Sequence, residues 1–66
     1  VKLVAKVACA SSGCPAIFAE DGDTVVVQGY AVNAADAGVD LPAGELLVRI
    51  PRSLLHDGST ALNAPS

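Results

Sequence analysis

The stretch Glu20-Asp21-Gly22-Asp23-Thr24-Val25-Val26-Val27-Gln28-Gly29-Tyr30 decides how this chain is read. Asp-Gly tolerates the positive φ angles that a two-residue type I′ turn demands, and a run of β-branched residues follows it directly. An antiparallel hairpin is therefore expected, and its register follows by counting outward from Asp21-Gly22. Glu20 then faces Asp23, Ala19 faces Thr24, Phe18 faces Val25, Ile17 faces Val26 and Ala16 faces Val27. The Phe18–Val25 and Ile17–Val26 pairs would each contribute about 0.2–1 kcal/mol over alanine, while Glu20 against Asp23 carries a small like-charge cost. Consecutive valines place apolar groups on both faces, so this strand is expected to be covered on both sides, as in a sandwich, barrel or dimer. Gly29 reads as a bulge or a close backbone approach, with the strand resuming over Tyr30-Ala31-Val32.

Upstream, Val1, Leu3, Ala5, Val7 and Cys9 alternate along a first strand whose other face carries Lys2 and Lys6. A turn is expected over Ala10 to Gly13. Cys14-Pro15 restarts extended geometry, because the residue before proline avoids the helical region, and Pro15 marks the second strand as an edge or a strand start. Downstream, Asn33 is a fitting N-cap for a short helical turn that Gly38 closes. Leu41-Pro42-Ala43-Gly44 has the composition of a type I turn. It introduces a fourth strand, Glu45 to Ile50, with Leu46, Val48 and Ile50 inward and Glu45 and Arg49 outward. Pro51 ends this strand and opens a single helical turn, Arg52 to His56, that returns Leu54 and Leu55 to the core. The expected fold is all-β and mainly antiparallel: a small four-stranded sheet or barrel with one short helical turn near the C-terminus. The domain spans residues 1–56, and residues 57–66 read as a flexible tail.

A chain of 66 residues makes one small domain of marginal stability, to be supplemented by a disulfide, a metal or a partner chain. Its aromatics are Phe18 and Tyr30 alone, so the core is aliphatic. A thin aliphatic sheet gains most by covering its second face, which points to a homodimer. The net charge of −3 and the scattering of Lys2, Lys6, Arg49 and Arg52 argue against direct nucleic-acid binding. No apolar run approaches the roughly 20 residues that span a bilayer. Lys2 and Lys6 interrupt the apolar start of the chain, unlike the uncharged centre of a signal peptide, so a cytoplasmic protein is expected.

Cys9 and Cys14 flank a small glycine-containing loop. Read blandly they are two buried thiols at a strand connection; a disulfide is sterically feasible but reducible in a cytosol. Zinc is the other alternative, with His56 as a further ligand, or with two chains each contributing both cysteines. Thiol catalysis would need a base beside the cysteine, and nothing in the sequence brings His56, the only histidine, near either one. Glu20, Asp21 and Asp23 read as solvated turn charges, since Thr24-Val25-Val26 breaks the alternation of oxygen ligands in a calcium loop. The serines form neither a nucleophile elbow nor a phosphate-binding loop. An enzyme is not expected.

The expected role is a non-enzymatic protein-interaction or regulatory accessory module, acting as a small β homodimer on an unidentified protein partner. The alternatives are a zinc-stapled scaffold using Cys9 and Cys14, or a regulator associated with nucleic acid through a partner. Tyr30, Arg49 and Arg52 are the candidate partner-binding residues, because Tyr and Arg give large contacts at low entropic cost. The blocks Ser12-Gly13-Cys14-Pro15-Ala16-Ile17-Phe18, Asp23-Thr24-Val25-Val26-Val27-Gln28-Gly29-Tyr30, Leu41-Pro42-Ala43-Gly44-Glu45 and Val48-Arg49-Ile50-Pro51 resemble a group of small actinobacterial proteins with Cys-Pro, Val-Val-Gln-Gly and Ile-Pro blocks. The resemblance spans about Cys9 to Leu55 and implies no activity.

Overall fold

A computed structural model describes residues 1–9 and 13–64. Most of the turn expected over Ala10 to Gly13 lies outside the described residues, as do the last two positions of the expected tail. The elements run β1 (Lys2–Lys6), β2 (Ala16–Ala19), β3 (Val25–Gln28), β4 (Tyr30–Val32), α1 (Ala34–Ala37), β5 (Leu47–Arg49) and α2 (Arg52–Asn63). The strands form an antiparallel sheet of order β1-β2-β3 and a separate two-stranded antiparallel sheet, β4-β5. The antiparallel β character matches expectation. The arrangement corrects the rest: among the described residues, five strands in two sheets replace one four-stranded sheet or barrel, and no barrel closes.

The β2–β3 hairpin forms where the sequence places it, one residue out of the expected register. Ala19 pairs with Val25, Phe18 with Val26, Ile17 with Val27 and Ala16 with Gln28. The Glu20 amide donates to the Thr24 carbonyl at 3.4 Å, and the Thr24 hydroxyl donates to Glu20 Oε2 at 2.7 Å. Asp21-Gly22-Asp23 is thus a three-residue loop whose positive φ, 91°, falls on its central residue Gly22, where glycine meets no steric penalty. The longer loop puts Thr24 opposite Glu20 in place of Asp23, exchanging a like-charge pair for a hydrogen bond.

β2 is the central strand and β3 an edge, so the central position expected for the valine strand falls to β2, while Pro15 stands at a strand start, one of the two positions expected for it. Pro15 precedes β2, and its carbonyl accepts from the Val7 amide at 3.0 Å. On the other side of β2, Leu3 pairs with Phe18 and Ala5 with Ile17, with a bulge at Val4 between them. The bulge lets Leu3 share the Phe18–Val26 face while Ala5 shares the Ile17–Val27 face.

Gly29 divides what reads as one strand into β3 and β4. A Cβ there would lie 2.6 Å from the Arg49 carbonyl oxygen and 2.8 Å from Ile50 Cγ2. Only glycine lets these backbones come so close, which satisfies the close-approach reading. The caps of α1 are those expected: Asn33 Oδ1 accepts from the Ala35 amide at 2.8 Å, and Gly38 closes the turn in the left-handed region. The next turn is shifted by one residue from expectation. The Glu45 amide donates to the Pro42 carbonyl at 3.2 Å, and Gly44 has φ 90°, the position at which a type II turn requires positive φ.

The largest departure is α2, where the helical turn expected over Arg52 to His56 continues through Asn63, so most of the segment expected as a tail is helical. Gly58, Ser59, Thr60 and Asn63 are poor helix formers, and packing supplies what propensity lacks. Leu54 and Gly58, four residues apart, share the face that α2 lays on β1 and β2. Leu54 is 1% exposed. Leu55, expected beside it, points outward because one residue turns the side chain about 100° around the helix. The buried apolar core consists of Ala16, Ile17 and Leu54. Val25 and Val26 stay exposed, so β3 is not covered on both sides within one chain.

Candidate interaction surface

Cys9 and Cys14 are joined as a disulfide, with Cα atoms 6.6 Å apart. Cys9 is exposed and Cys14 half-buried, which replaces the reading of two buried thiols. In this state neither sulfur is a thiolate, and zinc binds cysteine as the thiolate. His56 is exposed on α2. Among the described residues, no group of three or more His, Cys, Asp or Glu side chains is placed to hold a metal ion. The structure therefore does not assemble Cys9, Cys14 and His56 into a ligand set.

The partner-binding candidates are brought closer together. Tyr30 and Arg49, far apart in sequence, are directly opposed cross-strand partners in the β4-β5 sheet. Directly opposed residues share a face of the sheet. Beside them lies a shallow hollow of about 240 Å³ lined by Tyr30, Arg49, Ile50 and Pro51. Tyr30 is 62% exposed and Arg49 is exposed as well, so both are open to solvent beside the hollow. Arg52 is exposed at the start of α2 and does not line this hollow.

Leu46 is the residue whose placement sequence reasoning missed. Alternation along 45–50 points Leu46, Val48 and Ile50 to a common core, yet Leu46 is 89% exposed and Val48 is exposed as well. Their spacing is legible in the sequence; that no described element covers them is not. A second shallow groove beside them, of about 390 Å³, is lined by Val32, Ala37, Val39, Leu47, Val48 and Ile50, with Arg49 its one charged residue. The first three-stranded sheet also keeps one open face. There Leu3, Lys6, Ala16, Phe18 and Gln28 line a hollow of about 210 Å³ next to the Cys9–Cys14 disulfide.

No described helix is long and apolar enough to cross a membrane. Comparison with protein-family models, with curated proteins and with solved structures found no match to this chain.

Proposed function

We propose that this protein is a non-enzymatic interaction or regulatory accessory module that works as a small β homodimer and presents the Tyr30–Arg49 surface to a protein partner. One observation carries the reading. A monomer of 66 residues is expected to expose about 3,900 Å², whereas this chain exposes 5211 Å². The excess, about 1,300 Å² per chain, marks a loosely covered fold with surface to spare for a standard interface, in which each partner buries roughly 800 Å². The radius of gyration, 13.1 Å against about 11 Å for a compact chain of this length, says the same of the shape. Exposed Leu46 and Val48 supply apolar surface that association would cover.

The non-enzymatic part of the reading draws support from the character of the hollows. They are shallow and carry no buried polar or charged side chain among the described residues, whereas catalytic sites gather such groups in water-excluding clefts. Sedimentation equilibrium on the purified chain from low micromolar to several hundred micromolar concentration tests the assembly. A dimer mass is expected, and a monomer across the whole range refutes the homodimer. Tyr30→Ala then tests the presented surface: it is expected to keep the dimer mass and to abolish capture of a specific partner that the wild-type dimer retains.

A further inference from the structure

We propose that the dimer seam is the free edge of β5, which pairs antiparallel with β5 of a second copy about a two-fold axis at Val48. The inference rests on the homodimer reading and assigns it a place and a register. Each β4-β5 sheet has only two strands, and an isolated hairpin of that kind is marginal in water. The outer edge of β5 has no ladder partner among the described residues, an arrangement that invites strand addition. Joining two copies there gives a four-stranded sheet, β4-β5-β5-β4.

The sequence around Val48 suits this two-fold. In an isologous antiparallel pair centred on Val48, each Leu46 faces Ile50 of the second copy, and the two Val48 side chains face each other. Leu46, Val48 and Ile50 then make one uncharged stripe six side chains long across the seam, and the most exposed leucine of the chain gains a cross-strand neighbour. On the opposite face, Arg49 falls opposite Leu47 of the second copy and diagonal to its Glu45. Arg49 is thus a diagonal neighbour of both Glu45 and Arg49 of the second copy, so each cation has a carboxylate of the other copy beside it and no like-charged residues are directly opposed. Pro51 faces Glu45 at the end of the ladder, and having no N–H it closes the pairing there.

The edges of the three-stranded sheet are poorer candidates. β1 carries Lys2 and Lys6 and a bulge at Val4, the devices by which edges resist pairing. β3 already belongs to a three-stranded sheet backed by α2.

Val48→Glu and Val48→Lys, each alone, place like charges face to face at the axis. Each is expected to weaken the dimer at least about 100-fold by sedimentation equilibrium. Mixing the two variants is expected to restore a heterodimer containing one chain of each, with opposite charges facing across the axis, which a mere folding defect could not produce. Val26→Glu, on the other sheet, is expected to remain dimeric. The register has its own check, since it makes Glu45 of one copy a diagonal neighbour of Arg49 of the other. Arg49→Glu is expected to weaken the dimer several-fold, and Glu45→Arg in the same chain to recover it. A wild-type chain that is monomeric throughout removes both the homodimer and its seam. A wild-type dimer that survives both Val48 substitutions, fails to re-form on mixing, or is dissociated by Val26→Glu overturns the β5 seam and leaves the homodimer standing.

Discussion

Gly58 of α2 sits directly against Ile17 of β2: a Cβ added at position 58 would fall 2.5 Å from Ile17 Cδ1 and 3.6 Å from its Cγ1. The conflict is confined to one methyl group, because the remaining distances are ordinary van der Waals separations. The helix therefore reaches the sheet through a residue that costs it intrinsic propensity, and the close approach it gains holds Ile17 in the core.

That geometry sets two opposing terms for Gly58→Ala. Alanine improves helix propensity by about 1 kcal/mol, while crowding a buried methyl costs about 1–3 kcal/mol. Net destabilisation of about 1 kcal/mol is expected in urea unfolding. In an Ile17→Val background, which deletes the offending Cδ1, the same substitution is expected to stabilise by up to about 1 kcal/mol. The non-additivity of this double-mutant cycle is the quantity to measure; additive effects would show that α2 does not pack on Ile17 through Gly58.

Gly29→Ala has no such escape. The atom closest to its new Cβ is the Arg49 carbonyl oxygen, part of a backbone already paired through Arg49 to Tyr30. Relief requires β4 and β5 to move relative to β3. A loss of about 2–3 kcal/mol is expected, at the upper end for overpacking. In amide spectra the displaced signals should concentrate on residues 29–31 and 47–50, and unaffected β5 amides would contradict the close approach.

The Cys9–Cys14 disulfide closes a short loop, and the loop-entropy relation gives it about 2 kcal/mol. Adding a dithiol reductant is expected to lower the melting temperature by roughly 8–16 °C at 4–8 °C per kcal/mol for a domain of this size. Cys9→Ser/Cys14→Ser should match the reduced wild type and be insensitive to reductant. An unchanged melting temperature on reduction would show that the bridge does not contribute to stability.

Gly22→Ala tests the hairpin loop in isolation. No atom lies within 4 Å of the new Cβ, but φ is 91°, so the cost is conformational, about 1 kcal/mol. Thermal unfolding should show a drop of roughly 4–8 °C. A neutral result would point to a loop without the positive-φ glycine.

The hairpin, the α1 caps and the last strand were legible because each rests on residues adjacent in sequence: Asp21-Gly22 before the valines, Asn33 with Gly38, and Glu45 to Ile50 before Pro51. Register was less secure, since Asp-Gly fits both a two-residue and a three-residue loop, and the Glu20–Thr24 hydrogen bond belongs to the longer one. The extent of α2 was hidden because Gly58 reads as a helix breaker until Ile17 is known to lie beneath it. Of the candidate site, Tyr30 and Arg49 were identifiable by type. Their opposition across β4 and β5 was not, because it depends on the bend at Gly29.

By itself the sequence determined the local pieces: where the chain reverses, which segments extend, and that an acidic, aliphatic chain of this length builds a thin core. Only the tertiary structure decided which strand is central, where the helix stops, that Cys9 meets Cys14, and which apolar residues stay uncovered. Turns and caps are settled by the conformational preferences of a few neighbouring residues. Burial depends on surfaces distant in sequence, and the longer helix, α2, lies against β1 and β2 of the three-stranded sheet.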